Sequence, residues 1–235
     1  PAHRYITISG ALSNNVHGKN CFTKGFFGEY VDEFSFFSYD KGVIKCSRKE
    51  NSKYFFAVIS GLGILGLILD VKIKLRKVNS FYLTNEVNKF KNIYEILDYM
   101  NSSKQEKEFN IASFDATKYS NSEMPGIAYS SDFLNDGNLN VSDYDPSKIV
   151  KLINSIFIYS KRIPLVDSLA NIAFSLKTRG VFLKNKKSTI SYAQMNFLLD
   201  IVLPGYNFFF KKGFVEYQVM IRSEYCDEAF KKLMY

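Results

Sequence analysis

The sequence is poor in the residues that build metal sites and disulfide frameworks. Its 235 residues contain two histidines, three cysteines and no tryptophan, and the cysteines lie far apart without C-x-x-C spacing. Zinc sites need closely spaced Cys and His ligands, and disulfide scaffolds need paired cysteines in a short secreted chain. We therefore predict no metal site and reduced thiols, as in a cytoplasmic protein.

A long apolar run is also lacking. The uncharged stretch from Tyr54 to Leu69 contains three glycines and is shorter than the roughly 20 apolar residues that a membrane-spanning helix needs. It leads into the alternating sequence "DVKIKLRKV". We therefore predict a buried helix, a glycine loop and a strand, and no secretory signal opens the chain.

Aromatic residues and positive charge are abundant. The chain has 22 Phe and 16 Tyr, which is typical of an ordered globular protein, and a formal net charge of +8. This charge favours anionic partners such as phosphorylated ligands or an acidic membrane surface. The basic residues are scattered, so we predict no nucleic-acid binding.

Residues 1–78 are predicted to form a first domain of strands and glycine loops. Its elements are a strand at Arg4–Ile8, a hairpin turning at Tyr39–Gly42, a helix capped at Asn51, and a strand after the glycines.

Residues 79–235 are predicted to form a second domain, which makes the fold class α+β. Its predicted elements are a strand after Val78, an amphipathic helix at Val87–Met100, a strand ending at Phe114, a mobile polar excursion at Met124–Pro146, helices on either side of Pro164, a strand at Gly213–Arg222, and a C-terminal amphipathic helix.

His17, in the stretch "ALSNNVHGKN", raises the question of what it does. It has no ligand partners at metal-site spacing, and no G-x-S-x-G elbow supplies a nucleophile for it to activate. Two alternatives stay open. His17 is either a loop residue held by backbone hydrogen bonds or, with its small polar neighbours and Lys19, part of a site for an anionic or heteroaromatic ligand.

Two further motifs have both a structural and a functional interpretation. "SGLGILG" lacks the GK[ST] of a phosphate loop, so tight packing of helix against strand explains its glycines better. Glu216 and Gln218 share one face of a predicted strand, where they form either an exposed sheet face or a grip for a hydroxylated ligand.

Five segments in the same order resemble the FAD-linked oxidases of the vanillyl-alcohol oxidase superfamily. They are "ITISGALSNNVHGKN", "GFFGEYVDEFSFFSYDKGVIKCSRKEN", "YFFAVISGLGILGLILDVKIKLRKV", "ASFDA" and "GFVEYQVMI". Within the superfamily, the chain is most similar to the oxidases that act on the 2′-hydroxyl of a polyprenyl-phosphate pentose. The resemblance implies part of a PCMH-type FAD-binding domain at 1–78, followed by a substrate domain of antiparallel sheet and helices at 79–235.

The resemblance also implies site residues. Non-covalent FAD contacts are implied for Thr7, Ile8, Ser9, Gly10, Asn14, Asn15, Val16, His17 and Ile68. Substrate contacts are implied for His17, Gly18, Lys19, Asn207 and Gln218. The chain has Glu216 where relatives often carry Gln and Ser9 where they often carry Gly, so the resemblance leaves the identity of the sugar substrate open.

The implied reaction is oxidation of a sugar hydroxyl to a ketone in cell-envelope polysaccharide synthesis. A short-chain reductase partner would reduce the ketone, and a basic protein suits a lipid-phosphate substrate presented at a membrane surface. The family's N-terminal pyrophosphate loop and C-terminal catalytic lysine have no counterparts here. We therefore expect a fragment that holds the C-terminal part of the FAD-binding domain and a C-terminally truncated substrate domain, is inactive alone and binds FAD weakly or not at all. The alternatives are an alditol or aldonolactone oxidase of the same fold, or a non-catalytic binding module.

Overall fold

A computed structural model describes residues 4–114, 124–140, 155, 186–197 and 218–233. The predicted helices around Pro164 lie outside these residues, as does most of the predicted strand Gly213–Arg222. Residues 218–222 of that strand are described and have no regular secondary structure, so the prediction is wrong for them. Across the described ranges, none of the helices has the length and apolar character needed to cross a membrane.

Helices combine with antiparallel strands, as expected for an α+β protein, and the chain divides into two compact units. The first comprises Pro1–Leu83, Phe133–Tyr144 and Ile190–Asp200. The second comprises Thr84–Asp132, Asp145–Thr189 and Ile201–Tyr235.

The first unit is built on a three-stranded antiparallel sheet. Its elements are α1 (Ile8–Ser13), α2 (Cys21–Lys24), a 3-10 turn (Phe27–Tyr30), β1 (Val31–Ser38), β2 (Gly42–Ser47), α3 (Ser52–Val58) and β3 (Leu67–Ile73). The strand order is β2-β1-β3. The predicted hairpin is confirmed, because β1 and β2 pair from Ser38 and Gly42 onward. The core of the first unit contains Phe34 and Phe55, which are fully buried and stack with ring centroids 5.3 Å apart.

The strand predicted at Arg4–Ile8 is wrong, because this segment leads into helix α1. Thr7 caps the helix, and its Oγ1 accepts a hydrogen bond from the Gly10 N–H at 3.1 Å. A threonine N-cap satisfies one of the free N–H groups of the first helical turn. The alternation of "YITIS" is therefore a helix entry rather than a strand.

The second unit has a sheet with the strand order β5-β6-β4-β7. Its elements are β4 (Tyr82–Phe90), α4 (Ile93–Glu106), β5 (Phe109–Phe114), β6 (Gly126–Phe133), β7 (Lys186–Ser191) and α6 (Cys226–Leu233). Helix α5 (Tyr192–Asn196) follows β7 in the chain and belongs to the first unit. The predicted strand ending at Phe114 and the C-terminal helix are confirmed.

Two predictions for this part of the chain are wrong in part, at the start of the amphipathic helix and within the polar excursion. Val87 lies in β4, and α4 begins only at Ile93, because Asn92 Oδ1 accepts a hydrogen bond from the Glu95 N–H at 3.0 Å and caps the helix there. The supposed excursion at Met124–Pro146 contains β6, an inner strand of the sheet. Its buried Ser130 donates a hydrogen bond to Asn110 Oδ1 at 2.7 Å, so polar residues are satisfied inside.

Candidate functional site

An open cavity lies between the start of α1 and strand β3. It has a volume of about 330 Å³. Its lining residues are Ile8, Ser9, Ile68, Leu69, Asp70 and Val71. The structure therefore brings the neighbouring residues Ile8 and Ser9 together with Ile68, a predicted cofactor contact that lies far from them in the sequence.

Helix α1 presents Ile8 and Ser9 to this cavity because its first turn is held in place locally. Thr7 caps the helix, and its Oγ1 lies 3.4 Å from the Ser9 hydroxyl. A Cβ on Gly10 would lie 2.9 Å from Thr7 Oγ1, closer than side-chain atoms normally approach. Thr7 and Gly10, both predicted cofactor contacts, thus shape the helix start.

The opposite wall is an edge strand with a bulge. Ser35 of β1 pairs with Asp70 and the next residue, Phe36, pairs with Ile68, so Leu69 is an extra residue in β3. Bulges are common at sheet edges and beside functional sites, where they redirect side chains. Two neighbouring side chains, Leu69 and Asp70, are exposed as a result.

The predicted contacts Asn14, Asn15 and Val16 form a turn that hydrogen bonds to neighbouring backbone groups stabilise. Asn14 Nδ2 donates a hydrogen bond to the Gly10 carbonyl at 2.9 Å. Asn15 has a left-handed backbone with φ 44°, and its Oδ1 accepts from the Gly28 N–H at 2.9 Å. The Val16 carbonyl accepts from the Phe27 N–H at 3.0 Å. These atoms therefore hold the backbone in shape.

His17 and Lys19 follow this turn, and both are partly buried. The His17 ring meets Phe26 edge-on at 5.9 Å, and its Nδ1 lies 3.4 Å from the Gly18 carbonyl oxygen. Lys19 Nζ donates a hydrogen bond to the Met195 carbonyl in α5. Burial lowers the pKa of Lys19 to about 8, because desolvation disfavours the charged amine.

The remaining predicted contacts are not part of this arrangement. Asn207 and Glu216 lie outside the described residues. Gln218 is exposed, has no regular secondary structure and belongs to the second unit. The cavity lining does not include the turn from Asn14 to Lys19, so the structure divides the predicted contacts of the first unit into two groups.

The cavity can bind a partly apolar ligand that carries hydrogen-bonding groups. Four of its lining residues are aliphatic, whereas Ser9 supplies a hydroxyl and Asp70 a carboxylate. Within the described ranges, no group of His, Cys, Asp or Glu is arranged to hold a metal ion.

Sequence reasoning missed Leu69, Asp70 and Val71 in the cavity and Met195 beside Lys19. The run "LILDVKI" predicts a strand, but it contains no signal for a bulge, which depends on pairing with β1. The Lys19–Met195 contact joins positions 176 residues apart through a backbone carbonyl, for which the side-chain pattern gives no signal.

Comparison with known proteins supports a distant relation to the FAD-linked oxidases. No family model matches the chain. The decaprenylphosphoryl-β-D-ribose oxidase of Mycolicibacterium smegmatis is 26% identical over 153 residues, which cover 64% of this chain and 32% of that protein. The match therefore spans about a third of the relative's length.

Proposed function

We propose that the chain is part of an FAD-dependent oxidoreductase that oxidises a sugar hydroxyl to a ketone. The observation that carries this proposal is the cavity that gathers Ile8, Ser9 and Ile68, because the family resemblance assigns these three positions to the cofactor. The relative's name, an oxidase of a decaprenylphosphoryl ribose, supports a polyprenyl-phosphate pentose as the substrate, and the family resemblance implies its 2′-hydroxyl as the group oxidised.

The residues present fit part of the cofactor. The cavity of about 330 Å³ lies at the lower end of small-molecule sites, which span roughly 300 to 1,000 Å³. It therefore suits one end of an extended dinucleotide rather than the whole molecule. When bound, FAD supplies the redox chemistry by accepting a hydride from the carbinol carbon.

Lys19 is the residue that we expect to meet the phosphate of the substrate. With a pKa of about 8, it carries a proton in most molecules at pH 7. A partly buried ammonium interacts more strongly with an anion than an exposed one, because the local dielectric constant is lower. His17 and Gly18 would border the same sugar, and the family resemblance implies Asn207 and Gln218 as further substrate contacts.

The proposed reaction also implies partners. A keto sugar on a lipid phosphate has to be reduced if the pathway inverts the carbinol centre, so a short-chain reductase is the expected partner. The net charge of +8 favours peripheral contact with an anionic membrane, where the lipid-linked substrate lies.

A fluorescence titration of FAD with the purified chain tests the cofactor assignment. We expect weak but saturable binding and a clear loss in Ile8→Asp, because a carboxylate would replace an apolar wall of the cavity. Ile64→Asp is the matched control: Ile64 is 81% exposed and outside the lining, and Ile8 is 51% exposed, so neither variant disturbs a core.

The outcomes of this titration are distinct. Binding that survives Ile64→Asp and is lost in Ile8→Asp supports the proposal. Equal losses in both variants would contradict the cavity assignment, and an absence of FAD binding at millimolar concentration would remove this chain's part in the cofactor site.

A further inference from the structure

The bulge in β3 exposes an acidic side chain at the mouth of an apolar cavity. Ile68 and Val71 are half-buried and pack against the core of the first unit, whereas the intervening Leu69 and Asp70 are exposed. In a regular strand, neighbouring side chains alternate between faces. The extra residue therefore lets two consecutive side chains line one opening.

The carboxylate of Asp70 has no cation partner within the described ranges. The lysines of the same segment are engaged elsewhere, since Lys72 Nζ lies 3.9 Å from Glu33 and Lys74 Nζ lies 2.9 Å from Asp32. The six lining residues include no basic side chain. The cavity is therefore a poor site for a phosphate group and a good one for a neutral group that donates hydrogen bonds.

We propose that this cavity takes the adenosine end of the cofactor and that Asp70 accepts hydrogen bonds from the ribose hydroxyls. This inference rests on the proposed function, because the adenosine is part of FAD. The aliphatic walls suit the flat purine, and the Ser9 hydroxyl lies beside them. An acidic residue that binds the 2′-hydroxyl of ribose is a general solution for dinucleotides, and it rejects a 2′-phosphate by charge repulsion.

The isoalloxazine end of FAD fits these residues less well. The hydroxyls on that side belong to the flexible ribityl chain, so holding two of them against one carboxylate costs more conformational entropy than holding two hydroxyls fixed on a ring. The ribose of adenosine, in contrast, carries two neighbouring hydroxyls that can donate to one carboxylate. The exposed carboxylate of Asp70 therefore favours the adenosine end of the cofactor.

Saturation-transfer NMR on the whole chain with 5′-AMP, 2′-AMP and FMN as probes tests this inference. We expect 5′-AMP to receive saturation at its purine protons and to bind about tenfold more tightly than 2′-AMP, since a hydrogen bond to a charged group changes affinity by at least that factor. In Asp70→Asn this difference should largely disappear. Asp40→Asn, in the exposed hairpin turn, is the matched control and should keep it.

Each outcome bears on one of the two proposals. Equal binding of 2′-AMP and 5′-AMP, an unchanged preference in Asp70→Asn, or no binding of 5′-AMP at millimolar concentration would overturn the adenosine assignment. FMN binding without 5′-AMP binding overturns it while leaving the flavoenzyme proposal standing. Binding of 5′-AMP with neither FMN nor FAD bound supports a nucleoside pocket and removes the flavin from the proposed function.

Discussion

Lys19 is a cation held inside the first unit by a single carbonyl. The contact with Met195 satisfies one of the three N–H donors of the ammonium, and burial lowers the pKa of Lys19 to about 8. An amine with a pKa near neutral pH can either carry charge or accept a proton. This property distinguishes Lys19 from an ordinary surface lysine.

The titration of Lys19 can be observed directly. We expect its side-chain nitrogen resonance to shift with a midpoint near pH 8, because desolvation disfavours the ammonium. NMR of selectively labelled lysine measures this shift. The spectrum of Lys19→Met should lack the resonance; if a signal with that midpoint persists in the variant, it belongs to another lysine.

The same shift makes stability depend on pH with a definite sign. The unfolded chain keeps the Lys19 proton up to the ordinary lysine pKa of 10.5, whereas the folded chain releases it near pH 8. Between these values the unfolded state binds more protons, so the free energy of unfolding rises with pH. Urea titrations at several pH values should show this increment in the wild type and not in Lys19→Met.

The side chain of Asn15 stabilises its turn by accepting a hydrogen bond from the Gly28 N–H. Removing its amide in Asn15→Ala leaves the buried Gly28 N–H without its acceptor and places alanine in a left-handed backbone. We expect a loss of about 2 kcal/mol in the free energy of unfolding, measured by urea titration. Asn15→Asp keeps the acceptor oxygen and should lose much less; an equal loss would show that the hydrogen bond contributes little.

The helices and strands whose signals are local were predictable, and those that depend on distant partners were not. The hairpin at Tyr39–Gly42 follows from turn residues within a few positions. Helix α3 begins after Asn51 as predicted, although the Asn51 side chain donates to the Lys45 carbonyl and does not cap the helix. Strand β6 was missed because Ser130 and Ser131 look solvent-exposed in the sequence, yet Asn110 and Asn85 satisfy their hydroxyls inside the unit. Hydropathy contains no information about such pairing.

The residues of the candidate site also divide into those that could be predicted from the sequence and those whose position depends on distant partners. Ile8, Ser9 and Ile68 were predicted as cofactor contacts through family resemblance, which includes long-range information that a residue pattern lacks, and they line one cavity. Asp70 was missed, because its exposure beside the cavity depends on the bulge against β1. Asn92 was missed for a different reason: its N-x-x-E pattern is a helix-cap signal, but the predicted helix was extended back through it to Val87.

Gly42 in the hairpin turn and Gly66 in the loop before β3 differ in how well they tolerate a side chain. Gly42 has φ 70°, and a Cβ added there would meet open space, so Gly42→Ala should cost about 1 kcal/mol, the conformational penalty alone. Gly66 has φ 155°, and a Cβ there would overlap the Phe37 carbonyl of β1. Gly66→Ala should therefore cost clearly more in chemical unfolding, and similar costs would contradict the close packing.

The two units have separate buried cores. Phe55 is fully buried in the first, and Ile96 is 2% exposed in the second. Each substitution by alanine leaves a cavity and should cost about 2 to 5 kcal/mol. Units with their own cores can unfold separately.

Hydrogen exchange with mass spectrometry can compare the two cores. Phe55→Ala should speed amide exchange in β1 and β2 while leaving β5 and β6 close to wild type, and Ile96→Ala should do the reverse. Faster exchange throughout the described strands in either variant would show that the two units unfold together.

The contact between Lys19 and Met195 also constrains the order in which the molecule is made. The two residues are 176 positions apart, so Lys19 emerges from the ribosome long before Met195, whose carbonyl is its partner, has been synthesised. During that interval the amine stays hydrated and charged, and the loop that carries it lacks the hydrogen bond that stabilises its folded conformation. We expect the first unit to mature late in translation, after the segment from Ile190 onward has left the exit tunnel, even though most of its residues are synthesised first.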